Sequence, residues 1–148
     1  MRKILLAFFS LIVVVIVFVL YQKLSSPVAS IRTHEFQLLI ARSETDKQIG
    51  LSKHNSLPED KAMVFIFEKP DYYRFWMKDM KFPIDIIFIK DNKIVKIYEN
   101  APILKKSVTE LPIYSPPEQI DKALEINAGL SKKLNFKIGD IVEFRNIK

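Results

Sequence analysis

The sequence predicts a mostly β domain of the α+β class, a compact barrel-like or rolled sheet with two short helices, preceded by one N-terminal transmembrane helix. Short β-branched and aromatic runs recur along the chain between turn signals, which is typical of such sheets. Residues 63–67 and 84–89 are apolar on both alternating faces, as in a covered sheet. An uncharged apolar run at the N-terminus predicts the transmembrane helix.

The apolar run begins at Ile4, ends at Tyr21 and reads ILLAFFSLIVVVIVFVLY, without a charge. As a helix it spans about 27 Å, close to the thickness of a bilayer core. Arg2 and Lys3 precede it, whereas Lys23 follows it, and this bias places the N-terminus in the cytoplasm and the domain outside. We therefore expect a retained single-pass anchor; the alternative is a signal peptide whose cleavage releases a secreted domain.

The chain divides into three segments: residues 1–21 are the anchor or uncleaved signal, residues 22–33 a tether, and residues 34–148 one β-rich extracytoplasmic domain. There is no cysteine, and the two histidines lack ligand spacing, so neither a metal nor another cofactor is expected. Without Arg2 and Lys3, 21 basic and 17 acidic residues remain, which gives a net charge of +4 spread along the chain. Positive charge that is dispersed in this way disfavours a nucleic-acid-binding function and permits loose attraction to anionic lipids or envelope polymers.

Within the domain, short strands alternate with two short helices. Residues 34–41 are apolar at every second position, which predicts the first strand. Ser43 is the expected N-cap of a helix that ends at Gly50 or Leu51, since acidic residues occupy its first turn. Residues 91–92 (Asp-Asn) separate two β-branched runs and predict a tight hairpin. The other predicted elements are strands at residues 63–67, 84–89, 94–98, 123–127 and 141–145, and a helical turn at residues 130–134.

A long stretch between Glu99 and Lys122 contains four of the chain's eight prolines and little regular pattern. Connections of this length in a compact domain are usually functional or disordered. The apolar residues of this stretch, among them Val108 and Tyr114, indicate that it packs across the domain. We therefore expect an ordered loop that walls a cleft, with Tyr114 as a ligand-binding candidate.

The densest aromatic and charged cluster is YYRFWMKDM at residues 72–80. If residues 74–78 form a strand, Arg74, Trp76 and Lys78 share one face and the residues between them face the core. Such a face can stack a sugar or planar ligand on Trp76 while the two cations hold an anionic group. The alternative is structural: Trp76 fills the core and the cations extend to water.

Three carboxylates are candidates for chemistry: Asp79, Asp85 and Glu125. Asp85 enters an apolar strand, where an unpaired buried carboxylate would be costly. With Asp79 or Glu125 it forms either a ligand-binding group or a general acid–base pair; alternatively, Asp85 clamps the backbone of the turn at residues 81–83. We favour the clamp, because acids at strand entries commonly accept hydrogen bonds from nearby backbone N–H groups.

Short motifs occur in a specific order along nearly the whole domain, at residues 50–51 (GL), 56–60 (SLPED), 63–67 (MVFIF), 75–78 (FWMK), 83–89 (PIDIIFI), 124–129 (LEINAG) and 139–140 (GD). In combination they resemble the family called domain of unknown function 192. The resemblance implies a small exported or membrane-tethered bacterial or archaeal β protein in which Trp76, Lys78, Asp85 and Glu125 lie near one another. It implies no reaction. The chain departs from the family pattern at Asp79, where asparagine is usual.

The leading hypothesis is a non-catalytic, membrane-tethered extracytoplasmic module that binds a small molecule, a glycan or an envelope protein beneath the proline-rich loop. Its ligand-binding candidates are Arg74, Trp76, Lys78, Asp85, Tyr114 and Glu125. One alternative is a carboxylate-dependent hydrolase that uses Asp79, Asp85 or Glu125 as acid and base. Another is a structural subunit of a membrane complex, held through the apolar segment.

Overall fold

The structure is a computed structural model that describes residues 2–104 and 110–147, except for the side chains of residues 2–8, 10, 20 and 23. Its helices are α1 (Arg2–Ser25), α2 (Glu44–Ile49) and α3 (Leu130–Lys133), and a 3-10 turn at Gly50–Lys53 follows α2. Its strands are β1 (Val28–Ile31), β2 (His34–Ala41), β3 (Lys61–Asp71), β4 (Ile84–Lys90), β5 (Lys93–Ala101), β6 (Ile120–Asn127) and β7 (Val142–Arg145).

Within the described residues, one seven-stranded sheet in the order β5-β4-β6-β3-β2-β1-β7 forms the body of the domain. Neighbouring strands pair antiparallel except β2 and β3, which are parallel. The two edges meet where Lys93 bridges Ile141 and where Val142 N donates a hydrogen bond to Asn92 O at 2.8 Å. The sheet is thus curled into a half-barrel, and the predicted mostly β fold with a rolled sheet is confirmed.

Both faces of the sheet are buried. One hydrophobic cluster joins Ile94 of β5 to Val142 of β7, and because it links the two edges it fills the concave side. The other cluster, which includes Phe65 and Phe88, lies on the convex side. Alternate residues of β4 enter the two clusters, so every position from Ile84 to Ile89 is buried. This explains why the sequence of β4 is apolar on both faces.

The N-terminal boundary of the domain lies earlier than predicted. The sequence predicts that residues 28–31 belong to the tether, but they form β1, which pairs with both β2 and β7. Ala29 and Ile31 are fully buried in the concave cluster. A four-residue strand is too short to display an alternating pattern, which is why the sequence does not predict it. In addition, α1 continues beyond Tyr21 to Ser25, so only a short link separates the helix from the sheet.

The predicted anchor, from Ile4 to Tyr21, lies within α1. The side chains of residues 4–8, 10 and 20 are outside the described part of the chain. Among the residues that the structure describes, no helix combines the length and the apolar content needed to cross a membrane. The transmembrane helix therefore stays a prediction.

Other predicted elements are present. Ser43 caps α2 with its side-chain oxygen. Asp91 and Asn92 both have positive φ angles, 48° and 61°, as a two-residue type I′ hairpin requires. In the proline-rich loop Leu111 is buried, which agrees with packing of that loop on the domain. Val108 lies outside the described residues.

Candidate functional site

A strap, residues 72–82, crosses the convex face of the sheet between β3 and β4. Residues 74–78 do not form a strand: among the described residues, only Phe75 of the strap has a β-bridge partner. That partner is Tyr114, and two backbone hydrogen bonds of 2.9 Å join the pair. The strap is therefore joined to the proline-rich loop through Phe75, and it turns at residues 78–79.

The predicted alternation of side chains along the strap is nevertheless present. Phe75 and Met77 are 6% and 2% exposed and enter the convex cluster. Arg74 and Lys78 are exposed, and Trp76 is 48% exposed. The structural alternative in which Trp76 fills the core is therefore wrong. The buried side chains of Phe75 and Met77 thus hold the strap on the domain. Arg74, Trp76 and Lys78 remain at its surface.

An open cavity of about 220 Å³ lies between the strap, α2 and the sheet. Four predicted ligand-binding residues line it together: Arg74, Trp76, Lys78 and Glu125. The rest of the lining is Glu44, Lys47, Gln48, Ile49, Gly50, Leu51, Phe65, Phe67, Tyr73, Phe75 and Met80. Exposed cations and a half-exposed indole thus surround a largely apolar interior.

Glu125 lies in the middle of β6, flanked by Met63 of β3 and Ile86 of β4. Its side chain lines the cavity but is only 5% exposed, and its Oε2 is buried without a hydrogen-bond partner among the described residues. Burial disfavours the charged form and raises the pKa of Glu125 to about 8. At neutral pH this carboxyl is therefore mostly protonated and can donate as well as accept a hydrogen bond.

The opposite wall of the cavity comes from α2 and the turn after it. Lys47 Nζ lies 2.9 Å from Glu44 Oε1 and 5.2 Å from the centre of the Phe67 ring. Gly50 ends α2 with a φ of +51°, and a Cβ at this position would lie 3.3 Å from Phe65 and 3.9 Å from Glu125 Oε2. A glycine is needed here because the backbone both adopts a positive φ and passes close to the buried carboxyl.

Asp85 is a structural clamp outside the cavity. It is fully buried, and its Oδ1 accepts from Asn100 N and Gly129 N at 2.8 Å. Its Oδ2 accepts from Ser131 N at 2.9 Å and from Ser131 Oγ at 2.6 Å. The predicted clamp on the backbone of residues 81–83 is therefore wrong in its partners, because the carboxylate joins the end of β5 to the start of α3.

Two further candidates also lie outside the cavity lining. Asp79 is exposed in a turn with a φ of +57°. Tyr114 packs edge-to-face on Tyr98, with ring centroids 5.2 Å apart, and burial raises its pKa above the usual value. Tyr114 thus positions the strap through Phe75 rather than facing the cavity. Among the described residues, no three His, Asp or Glu side chains are grouped to hold a metal ion.

Much of the cavity wall could not be assigned from the sequence. Residues of α2, and Phe65, Phe67 and Tyr73, reach the site only because the sheet brings distant segments together. One local signal was present: Gly50, one of only three glycines, precedes an apolar residue at a helix end. A second was Glu125, a carboxylate flanked by Leu124 and Ile126.

Two solved structures are similar to this chain in fold. The chain is similar to a protein of unknown function from Novosphingobium aromaticivorans, with a TM-score of 0.71, 29% identity, and coverage of 78% of this chain and 83% of that one. It is also similar to a Sinorhizobium meliloti protein described as a proposed transcription regulator, with a TM-score of 0.72, 27% identity, and coverage of 83% and 97%.

No curated protein matches the chain. Residues 27–144 match the profile of domain of unknown function 192, described as an uncharacterized ACR. The match begins one residue before β1 and ends inside β7, so it spans the half-barrel. The chain therefore belongs to the domain of unknown function 192 family.

Proposed function

We propose that the protein is a membrane-tethered extracytoplasmic binding module whose cavity takes a small molecule or a single sugar ring. A volume of about 220 Å³ lies below the roughly 300–1,000 Å³ of most drug-sized ligand sites, which suits a ligand with few non-hydrogen atoms. Apolar walls with a few convergent polar groups are typical of small-ligand sites. A larger glycan or a protein partner could insert only one small projecting group into a cavity of this size.

The observation that carries this proposal is the buried, unpartnered Oε2 of Glu125 beside an open cavity. Leaving a buried polar atom unpaired costs a folded protein on the order of 1–3 kcal/mol. A ligand group that bonds to Glu125 would remove this cost. A carboxylate with a purely structural role would resemble Asp85, which accepts four hydrogen bonds.

The carboxylate-dependent hydrolase has less support. Such a mechanism needs two carboxyl groups about 5–10 Å apart across a common cleft. Of Asp79, Asp85 and Glu125, only Glu125 lines the cavity. Glu44 also lines it but is paired with Lys47. Within the described residues the cavity therefore lacks a second free carboxylate that could complete the pair.

Trp76 provides a direct test of binding, since it is the chain's single tryptophan and lines the cavity. The full chain in detergent micelles would be titrated with monosaccharides and small anionic, neutral and cationic metabolites. We expect a saturable change in Trp76 emission with at least one compound. N-acetyltryptophanamide in the same detergent controls for quenching in solution. A panel without any saturable change would contradict the binding function.

The membrane tether is supported by the uncharged run from Ile4 to Tyr21. The described apolar side chains of this run are exposed and lie outside both core clusters. We expect the full chain to stay in the membrane pellet after alkaline carbonate extraction, and a variant that lacks residues 1–26 to be released. Protease added outside spheroplasts should digest the domain. Release of the full chain by carbonate, or protection from external protease, would contradict the proposed location.

A role as a structural subunit makes a different prediction about the apolar segment. An unrelated transmembrane helix in place of residues 4–21 would disrupt a complex that depends on those residues. A binding module would retain both membrane attachment and the response of Trp76 to its ligand. The helix exchange therefore distinguishes the two roles.

A further inference from the structure

The rim of the cavity carries an excess of positive charge. Arg74 and Lys78 are exposed and form no ion pair within the part of the chain that the structure describes. Lys47, the third basic residue of the lining, is offset by Glu44 at 2.9 Å. Two uncompensated cations beside a low-dielectric interior attract an anion more strongly than the same charges in open water. The rim is therefore suited to an anionic group.

Aromatic rings form much of the wall below this rim. Phe67 stacks on Tyr73 with ring centroids 3.5 Å apart and an interplanar angle of 7°. Phe65 meets Phe75 edge-to-face at 5.0 Å. These contacts hold the rings in place without a ligand, so the cavity is preformed. Apolar walls of this kind stabilise an apolar or aromatic ligand body.

The inner end of the cavity is polar but uncharged at neutral pH. Glu125 is 5% exposed, and burial raises its pKa to about 8. A protonated carboxyl donates one hydrogen bond and accepts others, and a ligand hydroxyl can fill both roles. An ammonium group would require ionised Glu125 and would have to pass the positive charges of Arg74 and Lys78. The inner end therefore favours a neutral hydroxyl over a cation.

Building on the proposed binding function, we propose that the ligand is a small amphiphilic anion. Its body is aromatic or a similarly compact apolar group. A carboxylate or comparable anionic group at one end is held by Arg74 and Lys78, and a hydroxyl at the other end meets Glu125. This ligand satisfies the uncompensated rim charge and the unpartnered Oε2 together, which neither a neutral nor a cationic compound of the same size does.

Four probes separate the elements of this ligand class: 4-hydroxybenzoate carries both end groups, benzoate lacks the hydroxyl, phenol lacks the anion, and tyramine replaces it with a cation. Their affinities for the full chain in lipid nanodiscs would be measured by isothermal titration calorimetry at pH 7, with empty nanodiscs as the blank. We expect 4-hydroxybenzoate to bind at least tenfold more tightly than phenol and severalfold more tightly than benzoate. Tyramine should bind most weakly.

Variants then assign each end group to a residue. Arg74→Ala with Lys78→Ala should weaken 4-hydroxybenzoate and benzoate about tenfold and leave phenol unchanged. Lys81→Ala is the matched control, because Lys81 is an exposed cation of the strap that donates to Asn55 and lies outside the cavity lining. Glu125→Leu should weaken 4-hydroxybenzoate to the level of benzoate, and Glu125→Gln, which keeps a donor and an acceptor, should restore most of the difference.

Three results would overturn the proposed ligand class or its assignment to the rim. Phenol or tyramine binding as tightly as 4-hydroxybenzoate would reject the anion, yet it would leave the cavity as a binding site. An equal loss in Lys81→Ala and in the Arg74 and Lys78 variant would reject the specific role of the rim. If none of the four probes binds, this ligand class is rejected, and the broader Trp76 titration separately decides whether the cavity binds any small molecule.

Discussion

Asp85 and Glu125 lie on neighbouring strands, and their carboxyl groups have opposite surroundings. Asp85 accepts four hydrogen bonds, whereas Glu125 Oε2 has no partner among the described residues. Asp85 pairs across the strands with Ile126, and Glu125 with Ile86, so the two carboxyl groups project from opposite faces of the sheet. One stabilises a corner of the domain, and the other lines the cavity.

Asp85→Asn should destabilise the domain by about 3 kcal/mol, because the new amide would place N–H groups against the donors of Ser131 or of Asn100 and Gly129. Asp79→Asn is the matched control, since Asp79 is exposed and asparagine tolerates its positive φ. Chemical denaturation followed by circular dichroism would measure both free energies of unfolding. Equal free energies for the two variants would refute the clamp.

Glu125 should make the free energy of unfolding fall as pH rises. The unfolded carboxyl loses its proton near pH 4.5, whereas the folded one keeps it until about pH 8. The folded state therefore binds more protons in this window, and its stability decreases by on the order of 4 kcal/mol between pH 5 and pH 9. Glu125→Gln has no ionisable group at this position, so the variant should lack this decrease in stability with pH. Denaturation of both proteins at pH 5, 7 and 9 tests it, and identical slopes would contradict the burial of an ionisable Glu125.

At the scale of elements, the cavity depends on how closely the turn after α2 approaches β3 and β6. Gly50→Ala should destabilise the domain, because its backbone has a positive φ and the new Cβ would press on Phe65 at 3.3 Å. Gly139→Ala is the control, since Gly139 also has a positive φ, +94°, but no described residue beyond its chain neighbours has a heavy atom within 4 Å of an added Cβ. Thermal denaturation should show a larger loss, by about 1 kcal/mol, for Gly50→Ala. Equal losses would contradict the close contact.

The strap illustrates what the sequence can and cannot predict at this scale. The burial of Phe75 and Met77 and the exposure of Trp76 follow from alternation, which any extended segment shares. Alternation does not determine pairing, and residues 74–78 form an extended segment with one β-bridge among the described residues rather than a strand. By contrast, the apolar residues on both faces of residues 84–89 correctly predicted β4. The four residues of β1 were missed because they are too few to show a period.

The sequence predicted only part of the candidate site, because local spacing relates only residues that are close together in the chain. Arg74, Trp76 and Lys78 are close in sequence, so local spacing places them on one surface. The proximity of Glu125 came from a family resemblance, and the wall supplied by α2 depends on the pairing of β2 with β3. The same resemblance implies that Asp85 lies near Trp76. Asp85 instead projects from the face of the sheet opposite to Glu125 and the cavity, because successive residues of a strand point to opposite faces. Contacts between distant segments were the part that local patterns could not reveal.

For the whole molecule, residues 27–148 contain every strand of the described sheet and both hydrophobic clusters. We expect this fragment to fold without α1, with a melting temperature within about 5 °C of that of the full chain. The control fragment 34–148 follows the boundary predicted from the sequence and lacks β1, together with Ala29 and Ile31 of the concave cluster. It should be unfolded or severely destabilised. Similar melting curves for the two fragments would refute the structural boundary.

Because β1 pairs with β7, the sheet cannot form completely until the C-terminal strand is available. Val28 lies opposite Arg145, so the first and last strands of the sheet are joined across more than a hundred residues. Contacts this distant in sequence carry a large loop-closure cost and slow the folding of a domain to milliseconds or seconds. If the domain crosses a membrane in the proposed orientation, β1 emerges before β7, and the apolar side of β1 is exposed until the C-terminal residues emerge. This interval of exposure is when the protein is most vulnerable to proteases and to aggregation.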